Sequence, residues 1–334
     1  VVTSTAATSA LDRYFKITER GSTVGREIRG GLVTFFAMSY IIVLNPLILA
    51  TIPDGSGTFI GGDGDTSMQK VAATTALVAG VMTILMGVIA NYPMALAAGL
   101  GLNAVVAYSI AALPNMTWAA AMGLVVIEGV IILGLVLTGF RTAVFRAVPK
   151  ELKTAISVGI GLFIAFIGLF NAGIVRIPFA QATPTELGID GSLAGWPAVV
   201  FVCGLFLTVI LMVRKVRGAI LIAIITSTVL AAIIEAVAKV GTQVPDGSNP
   251  TGWSLNSPAI PESVVANPDF SLVGKVDVLG AFTHIGAVTA ILLGFTLLLA
   301  DFFDMMGTIV AIGAEARLLD EEGNPPNTDR ILVV

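Results

Sequence analysis

Apolar and polar positions along the chain fall into long blocks rather than short alternating periods. The apolar runs have roughly the length of a bilayer-crossing helix, about 20 residues, and polar or glycine-rich segments separate them. A β-barrel would instead show segments of about ten residues with alternating hydrophobicity. The pattern therefore predicts eight helical spans: Gly31 to Ile52, Val71 to Ile89, Ala95 to Leu113, Thr117 to Leu137, Lys153 to Phe170, Trp196 to Val213, Gly218 to Ala238 and Ile285 to Ala314.

Composition agrees with this pattern and narrows the class of protein. Mean hydropathy is +0.94, hydrophobic residues make up 56% of the chain and charged residues 12%, which is typical of an all-α polytopic membrane protein. Cys203 is the single cysteine and His284 the single histidine, so a disulfide framework and a Cys/His metal cluster are excluded. No set of nucleophile or metal ligands indicates an enzyme, and neither a cofactor nor nucleic acid is expected as a partner.

Basic residues predict the orientation of the spans. Three connections that eight spans would place on one side are rich in Lys and Arg, and that side is predicted to be cytoplasmic. They carry Arg13, Lys16, Arg20, Arg26 and Arg29 before the first span; Arg141, Arg146, Lys150 and Lys153 after the fourth; and Arg214, Lys215 and Arg217 after the sixth. Residues 1–30 are thus a cytoplasmic segment, 31–240 hold seven spans, 241–284 form an external loop, 285–314 are the eighth span, and 315–334 return to the cytoplasm and begin another span.

The third span has an irregular composition. In NYPMALAAGLGLNAVVAY, Pro93 stands near the start, and Gly99 and Gly101 come just before Asn103. Such a segment favours a broken or partly extended backbone, which membrane proteins tolerate where it is buried or lines a cavity. Asn103 would there offer a ligand both a donor and an acceptor. Close helix packing through small residues is the alternative reading.

Acidic side chains inside predicted spans are the main candidates for function. Asp301 and Asp304 are three residues apart in LLLADFFDMMGTIV, so they share one face of a helix. A carboxylate near the bilayer centre costs about 2.5 to 3.5 kcal/mol on the translocon scale, so the pair must face protein or water, where it could bind a proton or the N–H groups of a ligand. Bonds to neighbouring helices are the alternative. Glu128, central in the fourth span, is equally compatible with proton coupling and with packing.

Two other polar residues inside spans are expected to have local roles. Asn45 precedes Pro46 in the first span and is expected to bond backbone groups that the proline leaves without partners. Glu235 stands near the outer end of the seventh span, from which a long side chain can reach the interface.

Four blocks of the sequence resemble the AzgA-like purine permeases, the hypoxanthine, guanine and adenine branch of the nucleobase:cation symporters. These blocks are GREIRGGLVTFFAMSYIIVLNPLIL, GLGLNAVVAYSI, VPKELKTAISVGIGLFIAFIGLFNAGIV and FTLLLADFFDMMGTIVAIGAEARLLDEEG. They occur in the family's order, and the resemblance covers nearly the whole chain from Gly21 onward. It implies fourteen spans in two inverted seven-helix repeats, divided into a core and a gate domain, that move a neutral purine base together with a proton.

The resemblance also implies which residues form the site. The family's acidic substrate and proton site lies on the first helix of the second repeat, which places it on Asp301 and Asp304. Asp304 stands three residues before a glycine, as the key acid of the broader symporters does, and Thr308 is its polar neighbour. The half-helix and short strand of the third span line the same site, which adds Gly99, Gly101 and Asn103.

The chain departs from the family pattern by ending after the eighth span. The tenth span, with a second acid, and a strand that completes the site lie beyond ILVV, so we expect a piece of a longer protein that does not transport alone. A related symporter for uracil, xanthine or a small anion stays open, as does a non-transporting scaffold or receptor. The expected partners are a purine base, protons and the lipid bilayer, and a homodimer is left open.

Overall fold

Long helices make up most of the structure, as the apolar runs predict. The computed structural model describes residues 10–62, 65–139, 150–178, 184–189, 191–216, 218–244, 247–254, 257–259, 267–316, 318–320, 325 and 328–334. Its helices are α1 Ala10–Phe15, α2 Val24–Met38, α3 Ile41–Leu49, α4 Asp65–Leu85 with a π-helical end Met86–Ala90, α5 Leu100–Ala104 with a π-helical continuation Val105–Ala111, α6 Trp118–Leu137, α7 Lys150–Asn171, α8 Trp196–Val213, α9 Ala219–Ala238, α10 Gly280–His284, α11 Ala287–Glu315 and α12 Thr328–Val333.

Six of the eight predicted spans are confirmed as helices long and apolar enough to cross a membrane. Within the described residues these are Val24–Leu49, Thr66–Ala90, Trp118–Leu137, Trp196–Val213, Ala219–Ala238 and Ala287–Glu315. The first begins before the predicted Gly31, because Thr23 caps it by accepting a hydrogen bond from the backbone N–H of Arg26 and its charged first turns are compatible with a helix. The chain is therefore a polytopic helical membrane protein.

The other two predicted spans differ from a single long apolar helix in different ways. The third is a shorter apolar helix, Leu100–Ala111, preceded by the non-helical residues 91–99. Helix α7 coincides with the fifth. Arg141, Arg146 and Arg217, on which part of the predicted orientation depends, lie outside the described residues, so the orientation stays a prediction.

Two compact units divide the chain. Unit 1 consists of Val1–Ala147, Asp269–Asp301 and Leu318–Val334, and unit 2 of Val148–Pro268 and Phe302–Arg317. The core of unit 1 is an apolar cluster that includes Leu49, Val71, Ile110, Trp118 and Leu297. A smaller cluster of Val200, Ala231 and Trp253 lies in unit 2, where α8 packs against α9.

Glycine permits one close contact inside unit 1. The backbone N–H of Asp277 donates to the carbonyl oxygen of Ala119 over 2.9 Å, and a methyl group at Gly123 would lie 2.0 Å from the carbonyl oxygen of Asp277. The chain before α11 can therefore lie directly on α6 only because position 123 has no side chain.

The N-terminal segment is attached to the end of α4. A guanidinium N–H of Arg20 donates to Oδ1 of Asn91 over 3.3 Å, and Nδ2 of Asn91 donates to the carbonyl oxygen of Tyr14 over 3.0 Å. Asn91 has a left-handed backbone with φ of 52°, which asparagine tolerates better than most residues. This residue ends the π-helical turn and begins the non-helical segment of the third span.

A short β-ribbon lies between α7 and α8. Val175–Arg176 (β1) pairs antiparallel with Glu186–Leu187 (β2). The Arg176 side chain is buried, and its Nε donates to the carbonyl oxygen of Gly173 over 2.8 Å. A second donor of this guanidinium bonds the carbonyl oxygen of Pro250, which ties the ribbon to the loop after α9.

Large apolar side chains cover the outer faces of α8 and α9. More than half of the side-chain surface of Phe206 and Ile225 is exposed. In water such faces would be an aggregation hazard, whereas hydrocarbon is the solvent that they match. These surfaces agree with the membrane class that composition predicts.

Candidate functional site

The break in the third span is stabilised by a side chain of α4. Residues 91–99 make no helix, yet Tyr92 and Met94 are buried, so the backbone polar groups here need partners within the protein. The Thr83 hydroxyl provides two at once: it accepts from the N–H of Leu96 over 2.9 Å and donates to the carbonyl oxygen of Leu96 over 3.2 Å. The predicted break is thus bonded to α4 through the backbone of Leu96.

Helix α5 begins directly after this non-helical segment. Gly99 precedes the helix with extended backbone angles, and no side chain caps the first turn. Gly101 lies in that turn, and the N–H of Asn103 donates to the carbonyl oxygen of Gly99 over 2.9 Å. The first N–H groups of a helix have no partners inside it and carry partial positive charge. This end of α5 can therefore donate hydrogen bonds to an electronegative edge of a ligand.

Asn103 is held by a chain of polar side chains that crosses unit 1. Its Nδ2 donates to Oδ1 of Asn45 over 2.5 Å, and Nδ2 of Asn45 donates to the hydroxyl of Thr75 over 2.8 Å. Asn45 and Thr75 are buried, at 4% and 8% exposed. The side chain of Asn45 therefore bonds α4 and α5 and not, as predicted, the backbone near Pro46. The sequence signal for this role was a polar residue inside an apolar span.

Glu128 lies in the middle of α6 and is buried in unit 1, with 8% of its surface exposed. Helix α6 packs against the π-helical continuation of α5, so the acid belongs to the same unit as Asn103. A carboxyl group at this depth is costly unless it is hydrogen-bonded or neutral. Its location is compatible with both of the roles that the sequence left open.

Asp301 and Asp304 lie on α11, one turn apart and both half-buried. The hydroxyl of Thr308 donates to the backbone carbonyl oxygen of Asp304 over 2.9 Å, a bond within the helix that leaves the carboxylate of Asp304 to other partners. The helix is continuous through the pair, while the unit boundary falls between Asp301 and Phe302. The two acids share one helical face, as their spacing predicts.

An acid outside the spans organises the loop after α3. Both carboxylate oxygens of Asp54 accept hydrogen bonds, from Ser56, from Thr58 and from the backbone N–H of Trp118 at the start of α6. Burial raises the pKa of the Asp54 carboxyl, but these donated hydrogen bonds outweigh burial and hold the pKa below its ordinary value. Asp54 is fully used in fixing the loop and is not free to bind a ligand.

The start of α5 and the Asn103 side chain bring hydrogen-bonding groups of unit 1 close together. A helix start supplies N–H donors, Asn103 supplies an amide, and neighbouring side chains hold both in place. No three His, Cys, Asp or Glu side chains of the described residues come together as a metal site.

Comparison with known proteins shows similarity over nearly the entire chain. The model of the family described as Permease family (Xan_ur_permease) matches residues 25–333. The guanine/hypoxanthine permease PbuG of Bacillus subtilis is 35% identical over 317 residues, which cover 94% of this chain and 65% of the relative. The adenine permease AdeP of Escherichia coli K12 is 31% identical over 333 residues, which cover 99% of this chain and 65% of the relative. The chain thus spans about two thirds of the length of these relatives.

Proposed function

The chain belongs to the permease family whose model matches its residues 25–333, and from that premise we propose that it is part of a proton-coupled transporter that takes up purine bases. It is a membrane transport protein and not an enzyme, by family. The names of its relatives, guanine/hypoxanthine and adenine permeases, support purines over uracil, xanthine or a small anion as the cargo.

The observation that carries this proposal is the non-helical segment 91–99 leading into α5, with Asn103 held in the first turns of the helix. Purine bases are planar and carry N–H donors and ring-nitrogen or carbonyl acceptors on their edges. A helix start with an amide beside it can satisfy both kinds of group. In our proposal the base edge is bound by these backbone and side-chain groups of the third span, around Gly99, Gly101 and Asn103.

Proton coupling is assigned to the acids inside the spans. Asp304 is the first candidate, with Asp301 on the same helical face and Glu128 as a further one. A carboxyl group that binds a proton and also bonds an N–H of the base stabilises the transporter with both bound. The transporter with only one of the two bound is then less favoured. Transport by alternating access then requires different affinities for proton and base in the outward-facing and inward-facing states. The proposed setting is the cell membrane, with the N-terminus in the cytoplasm.

The test is uptake of labelled hypoxanthine by cells that lack their own purine transport and express the full-length protein. Wild-type uptake should fall when the proton gradient is collapsed, and unlabelled guanine and adenine should compete better than uracil. Asp304→Asn should lose uptake while reaching the membrane at the wild-type level. Asp269→Asn, which changes an exposed acid outside the spans, is the matched control and should keep uptake. Unchanged uptake by Asp304→Asn would remove Asp304 from the proposed site.

A further inference from the structure

The side chains of Asn45, Thr75 and Asn103 form a hydrogen-bonded chain across α3, α4 and α5, which we call the polar relay. Its two bonds, 2.5 Å and 2.8 Å long, join three helices in an otherwise apolar core. Asn45, in the middle, has both ends of its amide engaged. Because Asn45 and Thr75 are almost wholly buried, neither can exchange its partner for bulk water.

The relay has a direction. Asn103 donates to Asn45, and Asn45 donates to the Thr75 hydroxyl, which accepts. If the amide of Asn45 were turned by half a turn, its NH₂ group would meet the side-chain oxygen of Asn103, and Asn103 would present its own NH₂ group to a ligand. A threonine hydroxyl donates as well as accepts, so Thr75 can bond the Asn45 amide in either orientation. What the relay fixes is therefore the position of the Asn103 amide beside α3.

In the observed direction, the oxygen of Asn103 is outside the relay. The Asn103 side chain is half-buried, and its Oδ1 accepts no hydrogen bond from the described residues. One of its two N–H groups is occupied by Asn45. Asn103 thus keeps an acceptor and one N–H group with which it can bond a ligand.

We propose that Asn45 and Thr75 are positioning residues that set ligand specificity by holding the side-chain amide of Asn103 in place against the hydrogen-bonding edge of the base. This inference rests on the proposed purine transport. A site built to hydrogen-bond a substrate group rejects an analogue that lacks this group, because the polar atom of the site is then left without a partner. Thr75 acts at a distance from the ligand, through Asn45.

The neighbouring residue of α4 provides a matched control. The hydroxyl of Thr74 is buried and has no hydrogen-bond partner in the described part of the chain. Thr74→Val and Thr75→Val remove the same group from adjacent positions of one helix and keep the side-chain shape. Only the second removes the acceptor that holds Asn45.

The test is competition against labelled hypoxanthine uptake by the full-length protein. The competitors are hypoxanthine and its 1-methyl, 7-methyl and 9-methyl derivatives, each of which removes one possible N–H donor. For the wild type, the derivative that inhibits uptake least is chosen. The readout for each variant is the ratio of the concentrations of this derivative and of hypoxanthine that halve the uptake, which we call the preference. Thr75→Val should lower this preference by about three- to tenfold, the equivalent of one ordinary hydrogen bond, while Thr75→Ser and Thr74→Val keep the wild-type value.

The possible results separate this inference from the proposed function. If the wild type takes up no hypoxanthine, the proposed function fails, and the inference fails with it. If the wild type transports and Thr75→Val reduces stability or uptake without changing the preference, the relay only joins helices, and the inference alone is overturned. If Thr75→Val does not reach the membrane, Thr75→Cys is measured in its place, because its sulfur is only a weak acceptor. Its preference for hypoxanthine should also be lower than that of the wild type, and an unchanged preference would overturn the inference.

Discussion

The indole N–H of Trp253 donates a hydrogen bond to Oε2 of Glu235 over 2.7 Å. Both oxygens of the same carboxylate lie 3.2 Å from the backbone N–H of Gly241. Glu235 stands near the end of α9, and Trp253 is buried in the loop that follows, against Val200 and Ala231. A carboxylate expected only to reach the interface therefore fixes the loop after α9 to its own helix.

Replacing Trp253 by phenylalanine should destabilise unit 2. Trp253→Phe keeps most of the buried aromatic surface and removes the N–H group, so the lost free energy is that of a hydrogen bond to a charged group, about 1.5 to 3 kcal/mol. The measurement is thermal unfolding of the purified protein in detergent. Trp196→Phe is the control, because Trp196 is 47% exposed at the start of α8; equal shifts for both variants would contradict the role given to the indole N–H.

Asp54 should make the stability of unit 1 depend on acid pH. Folding lowers the pKa of its carboxyl below the ordinary value of 3.8, because hydrogen bonds from Ser56, Thr58 and Trp118 outweigh the opposing effect of burial. The resulting stabilisation is complete above the pKa of the unfolded chain and is lost as pH falls through the lower pKa of the folded state. The melting temperature of the wild type should therefore drop below about pH 4.

The Asp54→Asn variant should lack most of this drop and should melt at a lower temperature at neutral pH. An amide can accept through one oxygen only, so part of the loop loses its partner. Asp269→Asn provides the comparison, because Asp269 is exposed and bonds only the neighbouring Ser271, and surface changes usually stay within about 0.5 kcal/mol. A pH profile of Asp54→Asn that matches the wild type would exclude Asp54 as its source.

Much of the fold follows from the apolar pattern because the bilayer imposes a length on each element. A span needs about 20 apolar residues, so six spans could be predicted to within a few residues at most of their ends. The break before α5 was also predictable, since Pro93, Gly99 and Gly101 all disfavour a continuous helix. Apolar residues do not mark a helical turn that consists of polar and charged residues. For that reason the first span was predicted to begin at Gly31, although its helix begins at Val24.

The partners of polar side chains could not be predicted in the same way. Asn45 and Asn103 are 58 residues apart, and only the packing of α3 against α5 brings them together. The sequence suggested that Asn45 bonds the backbone near Pro46. In the structure its side chain instead bonds Asn103 and Thr75, which lie on two other helices. The helical face shared by Asp301 and Asp304 follows from spacing alone, while their assignment to proton and base stays a proposal.

Gly123 should not tolerate a side chain. A methyl group there would lie 2.0 Å from the carbonyl oxygen of Asp277, which is backbone and cannot rotate away, so Gly123→Ala must separate α6 from the chain before α11. Overpacking of this kind costs about 1 to 3 kcal/mol. Gly129→Ala is the matched control on the same helix, because open space surrounds that position. Thermal unfolding should show a lower melting temperature for Gly123→Ala than for the wild type and an unchanged melting temperature for Gly129→Ala.

Thr83 should be required for the conformation of the non-helical segment 91–99. Thr83→Val keeps the side-chain volume but removes the hydroxyl that bonds both the N–H and the carbonyl oxygen of Leu96. Two part-buried backbone groups then lose their partner, at up to about 1 to 3 kcal/mol each, and the segment before α5 can shift. Under the proposed function, Thr83→Val should therefore impair hypoxanthine uptake more strongly than it reduces the amount of protein in the membrane.

Two further variants separate this effect from a general loss of stability. Thr83→Ser keeps the hydroxyl and should restore most of the uptake. Thr226→Val removes an exposed hydroxyl that bonds only the carbonyl oxygen of Ile222, one turn earlier in α9, and should leave uptake unchanged because the helix keeps its own backbone bonds. If Thr83→Val transports as well as Thr226→Val, the conformation of residues 91–99 does not depend on the Thr83 hydroxyl. Other contacts, such as the burial of Tyr92 and Met94, are then sufficient to hold the segment.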